Sequence, residues 1–343
     1  MTPGKIVATS INGIRTIESQ GLRNNESPVN QHTACDLGSV TKILATTSII
    51  MKLVENQVLA VDDLVEKYLP EWSNYQRKGV TIGDLLEHQS GLNEWRPLYI
   101  SQSGITEARQ TIVREGYKYS SGRHYSDLGF ITLGNVITEV LDMDLERAFK
   151  EWVSQPLALQ STQFAAPVDR SDVFASSFGD RAEYEMVSTQ KPYETVEKVE
   201  DFHQWRNHIL EGEVNDGNSF HLLSGVSGHA GLFSTAEDLL IYGEELLASI
   251  RGDGYFDQNV ISKFLTVGRD PMQGLGFRNW VEDGQIAYWG HTGFPGVTLA
   301  ISPQHESVLV MLSNHLLTME TPEKTEDIFS RVRVDIRKLL EAR

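Results

Sequence analysis

The chain has 343 residues, of which 40% are hydrophobic and 22% charged, as is typical of a globular protein with one large or two medium domains. Its net charge of −17 argues against nucleic acid or an anionic membrane surface as a partner, because both bind through basic patches. The only cysteine is Cys35, so neither an intrachain disulfide nor a cysteine-based zinc site can form.

The N-terminal residues predict a β-hairpin. Apolar runs at 6–11 and 14–18 flank Asn12-Gly13, a two-residue sequence that strongly favours a tight hairpin turn. No apolar segment is long enough to span a membrane, and no basic segment followed by an apolar one marks a secretory signal. We therefore expect a cytoplasmic protein, although an exported protein without its leader would show the same pattern.

The next element combines the start of a helix with a serine and a lysine. Ser39 and Lys42 open an apolar-periodic run that predicts a helix over about 39–56. Residues three apart lie on one helix face, so the hydroxyl and the amino group can meet there. A serine becomes a nucleophile when a base takes its proton, and a partly desolvated lysine can be that base. The pattern predicts a Ser39 nucleophile activated by Lys42.

The same Ser-x-x-Lys pattern occurs a second time, in a different context. Ser188 and Lys191 are followed directly by Pro192, within a polar stretch that has no apolar period. The residue before a proline is disfavoured in the helical region, so this copy does not open a helix. We interpret Ser188 as a surface serine, and the local context distinguishes Ser39 from it.

The middle of the chain predicts helices followed by a long polar segment. Residues 62–160 are expected to be mostly helical, with a capping box that starts at Thr81. Two of these helices are predicted at 127–141 and 144–154. Residues 165–222 are polar and without period, so we predict an irregular insertion that decorates a domain.

Strand signals dominate after Gly231. A helix capped by Thr235 is predicted to run to about 249, and a final helix begins after Pro322 with an apolar stripe. Between these helices, alternating apolar runs predict three strands, at 285–293, 296–302 and 307–313.

Strands near both termini with helices between them predict an α+β fold, with one antiparallel sheet flanked by helices in an α/β sandwich. Residues 1–58 and 232–343 would form the sheet domain, and residues 59–231 an inserted, mostly helical domain. The Ser39 helix would lie at the junction, where clefts commonly form.

Two further elements carry groups that suit acyl transfer. Tyr125 lies just before an apolar helix, and a tyrosine beside a lysine ammonium can have a lowered pKa and transfer protons. His291 and Gly293 lie at the end of a predicted strand, where a glycine lets a ligand approach closely. The N–H group of Phe294 could pair with that of Ser39 as an oxyanion hole. Taken alone, Tyr125 is better explained as an ordinary aromatic at a loop-to-helix junction, and His291 can be explained as a surface histidine at a strand end.

In this order, the three elements resemble the signature motifs of the serine β-lactamase and penicillin-binding-protein superfamily. The resemblance is strongest to its class C branch, which also contains DD-peptidases and esterases, and the strings at 85–92 and 228–235 agree with it. It implies that Ser39 is acylated, that Lys42 and Tyr125 share the acid and base roles, and that Ser39 and Phe294 bind the oxyanion. The motifs themselves are Ser39-Val40-Thr41-Lys42, Tyr125-Ser126-Asp127 and His291-Thr292-Gly293.

Two positions depart from the usual β-lactamase pattern. Asp127 stands where these enzymes usually have asparagine, and a carboxylate cannot donate a hydrogen bond to a substrate amide carbonyl. It should pair with Lys42 or with a substrate cation. His291 stands where most have lysine, and a neutral imidazole attracts a substrate carboxylate less strongly. The resemblance implies a substrate-binding group of Asp127, His291, Thr292 and Gly293.

The leading hypothesis is a serine hydrolase that forms a Ser39 acyl-enzyme with a small amide, D-amino-acid peptide, cell-wall fragment or ester, and is a poor β-lactamase. Two alternatives remain: a carboxylesterase, and a penicillin-binding or sensing protein that acylates slowly with little turnover. No metal or other cofactor is expected, because neither a metal-binding nor a nucleotide-binding motif is present. The expected partner is a small molecule or short peptide, and nothing in the sequence indicates an oligomeric state.

Overall fold

The computed structural model of the protein describes residues 4–165, 172–318 and 324–331. The α-helices that both begin and end within these ranges are α1 Ser48–Glu55, α2 Ile82–Leu86, α3 Leu98–Ser101, α4 Ile105–Glu115, α5 Asp127–Leu141, α6 Leu145–Phe149, α7 Arg181–Thr189, α8 Ala236–Arg251 and α9 Gln258–Leu265. The strands are β1 Lys5–Ile11, β2 Ile14–Gln20, β3 Cys35–Asp36, β4 Gln163–Phe164, β5 Ala175–Phe178, β6 Ile209–Glu211, β7 Leu232–Ser234, β8 Arg278–Glu282, β9 Gln285–Gly293, β10 Val297–Ser302 and β11 Ser307–Ser313.

The main sheet joins the N-terminal hairpin to the C-terminal strands. Its order is β2-β1-β11-β10-β9-β8, and each pair of neighbours is antiparallel. The hairpin turn has positive φ at both Asn12 and Gly13, as a tight two-residue hairpin turn requires. The predicted antiparallel sheet is therefore confirmed, and β8 is an edge strand that the sequence patterns did not predict.

Both faces of this sheet are covered. On β11, Val308, Val310 and Leu312 face the large core shared with α8 and α1. The alternate residues Leu309 and Met311 face a smaller apolar cluster that includes the helical segment 325–331. This alternation is the period-two pattern of a strand, and it produces the layered α+β architecture that the sequence predicts.

The helices between the sheet strands match the sequence predictions closely. The capping box at Thr81 is present, because its side chain accepts the N–H of Asp84 while the carboxylate of Asp84 accepts the N–H of Thr81. Helix α5 spans the predicted 127–141 and is capped by Ser126. Within the described ranges, no helix combines the length and apolar character needed to cross a membrane.

The described part of the polar segment, residues 172–222, contains helix α7 and the paired strands β5 and β6, which the sequence patterns did not predict. A buried ion pair organises it: Nη2 of Arg206 lies 2.6 Å from Oδ1 of Asp180. Such pairing of distant charges leaves no periodic apolar pattern in the sequence. The assignment of 59–231 to an inserted domain remains a prediction.

The C-terminal helix is described only in part. Residues 325–331 are helical and carry Ile328 of the predicted apolar stripe. The remaining stripe residues, from Val332 to Leu340, lie outside the described residues.

Candidate active site

The serine lies in a tight turn that follows β3. Oδ1 of Asp36 accepts the N–H of Gly38 at 2.8 Å, and its Oδ2 accepts the N–H of Asn215 at 2.6 Å. Burial raises the pKa of Asp36 to about 6, against the opposing effect of these two N–H groups. Gly38 has φ +49°, and a Cβ atom there would lie 2.6 Å from Cδ of Pro295. The glycine therefore lets the Ser39 turn contact the turn after β9.

The predicted helix begins with two irregular turns. A 3₁₀ turn covers Gly38–Val40, a wide π-helical stretch covers Lys42–Thr47, and regular α-helix starts at Ser48. Wide turns of this kind are frequent at functional sites, because they redirect side chains. They bring the serine and the lysine together as the three-residue spacing predicts.

Lys42 connects the candidate catalytic groups. Its fully buried Nζ donates to Oγ of Ser39 at 2.8 Å, to Oδ1 of Asp127 at 2.7 Å and to the carbonyl of His229 at 3.2 Å. It also lies 4.9 Å from the ring centre of Tyr125. The structure therefore brings together Ser39, Lys42, Tyr125 and Asp127. Of the two partners that the sequence left open for Asp127, it shows Lys42.

This ion pair determines the protonation state of Lys42. Burial lowers the pKa of Lys42. The negative charge of Asp127 and the nearby Tyr125 raise this pKa by more than burial lowers it, so the pKa of Lys42 lies above its ordinary value. The resting side chain is an ammonium. Lys42 can accept the serine proton only if it first passes a proton to another group, and Asp127 is in hydrogen-bond contact.

Tyr125 is a neutral phenol in the resting site. Burial raises the pKa of Tyr125, and the opposing effect of Lys42 does not compensate. The expected lowering of this pKa by the lysine is therefore wrong for the free protein. A neutral phenol can still relay a proton by donating its own and accepting another.

His291 is a neutral imidazole at the end of β9. Its side chain is buried, and Nδ1 lies 2.7 Å from the carbonyl of Thr292, so Nδ1 carries the proton. Burial and the positive Lys42 lower the pKa of His291 to about 3. The ring centre lies 5.7 Å from that of Tyr125. His291 thus lies beside Tyr125 with an uncharged Nε2, and its contact with a substrate stays a prediction.

The end of β9 lies against the serine turn. A Cβ atom on Gly293 would be 2.2 Å from the carbonyl oxygen of Leu37, so the chain's own backbone, and not a ligand, requires the glycine here. The amide nitrogen of Phe294 lies 3.3 Å from the position a Cβ would take on Gly38. This contact places the turn that carries the N–H of Phe294 beside the turn that carries the N–H of Ser39, and their use as one oxyanion hole stays a prediction. The Phe294 side chain is 56% exposed beside it.

A family model described as Beta-lactamase matches residues 3–332. The chain belongs to the β-lactamase family. The N-acetylmuramyl-L-alanine amidase of Bacillus subtilis (strain 168) is 27% identical over 95% of this chain and 78% of its own length. The "Putative D-alanyl-D-alanine carboxypeptidase" of Escherichia coli (strain K12) is 30% identical over 89% of this chain and 75% of its own length. A class C β-lactamase from Rhodobacter sphaeroides shares the fold, with a TM-score of 0.68 at 18% identity and coverage of 94% of this chain and 92% of that one.

These similarities confirm the resemblance to class C β-lactamases and penicillin-binding proteins, and with it the α+β fold. The chain is a serine hydrolase of the peptidase, amidase or esterase type. The assignment of roles to individual residues remains a prediction that rests on their geometry.

The β-lactamase-family site contains a supporting pair that the sequence did not reveal. Nε2 of His229 lies 2.9 Å from Oδ1 of Asp216, and Nδ1 lies 2.7 Å from Oγ of Ser227. This fixes the loop whose carbonyl accepts a hydrogen bond from Lys42. His229 therefore acts through the backbone, as a structural residue of its turn. No motif marks Asp216, which lies in the polar segment 165–222.

The second Ser-x-x-Lys copy and the histidine at 208 lie outside this site. Ser188 is exposed in the last turn of α7, as predicted for a surface serine. His208 pairs with Glu213 at 2.8 Å on the surface. Among the described residues, no group of three or more His, Cys, Asp or Glu side chains could hold a metal ion.

Proposed function

We propose that this protein hydrolyses amide bonds of D-amino-acid peptides or cell-wall fragments through an acyl-enzyme on Ser39, and that it turns over β-lactams poorly. The observation that carries the proposal is the contact of 2.8 Å between Nζ of Lys42 and Oγ of Ser39, with Asp127 in contact with the same ammonium. The names of the amidase and carboxypeptidase relatives support this substrate class.

The first step is attack by Oγ of Ser39 on a carbonyl carbon whose oxygen binds the N–H groups of Ser39 and Phe294. The serine proton moves to Nζ of Lys42 while a lysine proton moves to Asp127, so the lysine stays protonated overall. Such a relay suits a resting ammonium, which has no free lone pair.

The second step is collapse of the tetrahedral intermediate. The C–N bond breaks, and the leaving amine receives a proton from Tyr125, which is replenished from Lys42 and Asp127. Water then attacks the ester on Ser39, and the same groups take the proton of the water and return one to Oγ of Ser39. This step releases the carboxylic acid product. Atoms and charges balance, because the proton taken from the serine leaves with the amine.

Two features of the site support poor β-lactam turnover. Asp127 is an acceptor occupied by Lys42, so it cannot donate to an amide carbonyl of the drug. His291 is neutral and presents no cation to the drug's carboxylate. The site therefore lacks two contacts that would orient a penicillin: a hydrogen bond to its amide carbonyl and a cation beside its carboxylate.

The test is intact-protein mass spectrometry after exposure to a fluorescent penicillin and, separately, to nitrophenyl acetate and a D-alanyl-D-alanine peptide. Ser39→Ala is measured alongside. We expect Ser39-dependent hydrolysis of peptide and ester, and a slow penicillin adduct. An adduct or product that persists in Ser39→Ala would overturn the assignment of the nucleophile, and rapid penicillin turnover would overturn the substrate preference. A stable adduct without any turnover would indicate a slow-binding sensor instead.

A carboxylesterase is the second candidate. The neutral His291 favours it, because a site without a cation at this position suits uncharged acyl donors. Hydrolysis of short nitrophenyl esters without any cleavage of the D-alanyl peptide would establish this alternative.

A further inference from the structure

His88 lies outside the three motifs, yet its backbone conformation is unusual. It follows helix α2 with φ +56°, in the left-handed region, and its side chain is only 2% exposed. A residue other than glycine costs about 1–2 kcal/mol in that conformation. Such positions persist where the surrounding contacts impose them, and they are enriched at functional sites.

His88 forms hydrogen bonds with the residues directly before and after Tyr125. The carbonyl of His88 accepts the N–H of His124 at 2.9 Å, and Nδ1 accepts the N–H of Ser126 at 3.0 Å. The imidazole ring centre lies 4.5 Å from the Tyr125 ring and 5.2 Å from the Phe130 ring. One residue thus fixes the backbone on either side of Tyr125 and one face of its phenol ring.

These contacts require a neutral imidazole of one tautomer. Because Nδ1 accepts from an amide, the proton lies on Nε2. Burial, together with the positive charge of Lys42, holds the pKa of His88 well below its usual value. Nε2 is buried and has no hydrogen-bond partner among the described residues, which costs about 1–3 kcal/mol. An apolar side chain could fill the same space without this cost, so packing alone does not explain the histidine.

We propose that His88 is the positioning residue for Tyr125: its carbonyl and Nδ1 clamp residues 124 and 126 so that the phenol is held beside Ser39 and Lys42. The proposal rests on the proposed function, because it matters only if Tyr125 relays protons. Loss of the clamp lowers the rate of acyl transfer and leaves substrate affinity almost unchanged, because a displacement of about 1 Å at a reacting group costs about 100-fold.

Two replacements distinguish the hydrogen bond accepted by Nδ1 from the space that the side chain fills. His88→Asn keeps an acceptor at the same distance from Cβ as Nδ1, and asparagine tolerates the left-handed backbone. His88→Gln keeps a polar side chain of similar size but moves its acceptor one bond further out. We expect kcat for the nitrophenyl ester to fall about 100-fold in His88→Gln and less than about 10-fold in His88→Asn, with KM within about threefold in both.

The deciding measurement is a double-mutant cycle with Tyr125→Phe. If His88 acts through Tyr125, His88→Gln lowers kcat less than about threefold in the Tyr125→Phe background. Equal losses in both backgrounds, or full activity of His88→Gln, would overturn the proposal. Thermal denaturation checks folding; if His88→Gln does not fold, the same cycle with His88→Asn decides, since its smaller loss should also vanish.

Ser39→Ala, measured in parallel, distinguishes the two levels of inference. Activity that does not depend on Ser39 would mean that the proposed function fails, whatever His88 does. Ser39-dependent activity combined with an additive cycle would mean that only the positioning role fails.

Discussion

Gly38→Ala tests whether the oxyanion hole depends on the contact between the serine turn and the turn after β9. The new methyl group would lie 2.6 Å from Cδ of Pro295, whereas ordinary contact begins at 3.4 Å, so the two turns must separate by about 0.8 Å. The left-handed backbone at φ +49° adds about 1–2 kcal/mol of strain. Loss of one oxyanion donor costs about 10²–10³ in kcat, so we expect a fall of about 100-fold. The strain alone should lower Tm by only a few degrees.

Gly13→Ala provides the matched control. Gly13 also has positive φ, at +77°, but a Cβ there would contact nothing within 4 Å, and it lies in the N-terminal hairpin. It should lower Tm by a similar amount and leave kcat unchanged. The assay is steady-state hydrolysis of a nitrophenyl ester together with a thermal melt of each variant. If Gly38→Ala keeps more than a tenth of wild-type kcat, or if Gly13→Ala loses as much, the geometric argument is refuted.

Three other substitutions test the electrostatics. Asp127→Asn removes the carboxylate that accepts the lysine proton in the proposed relay, so kcat/KM should fall at neutral pH and recover only at alkaline pH, where Lys42 itself loses a proton; unchanged activity at neutral pH would contradict the relay. His291→Lys should speed up acylation by anionic penicillins but not by nitrophenyl acetate, and equal effects on both would argue against charge recognition. Burial raises the pKa of Glu183 from 4.5 to about 8, so the folded state holds this proton more tightly and the free energy of unfolding should fall as pH rises between those values. In urea titrations at pH 5 and pH 8, Glu183→Gln should lose part of this fall; an identical fall in the variant would be inconsistent with it.

The features predicted correctly are those with local signals. The hairpin at Asn12-Gly13, the sheet strands of β9, β10 and β11, and helix α5 each have a short-range pattern of turn residues or apolar period. The pairing of Ser39 with Lys42 follows from three-residue spacing on a helical turn, and the turn is irregular without losing that contact.

The features that the sequence could not predict depend on residues far apart. The motifs left two partners open for Asp127, and only the folded chain shows that it contacts Lys42, 85 positions away, and raises the pKa of that lysine against the effect of burial. Asp216 supports the loop that binds Lys42, yet its surroundings form only in the folded chain. The polar residues 172–222 contain the buried Asp180–Arg206 ion pair, and no apolar period in the sequence indicates it.

The pairing of β1 with β11 determines when the protein can become active during its synthesis. Lys5 lies opposite Ser313, so β1 has to wait for a strand that is synthesised about three hundred residues later. The N–H of Phe294 also emerges more than two hundred residues after Ser39. Contacts of such long range form slowly and late. A nascent chain that ends before β9 would therefore carry the serine and the lysine without the N–H group of Phe294, and we expect hydrolysis to begin only after β9, β10 and β11 have joined the sheet.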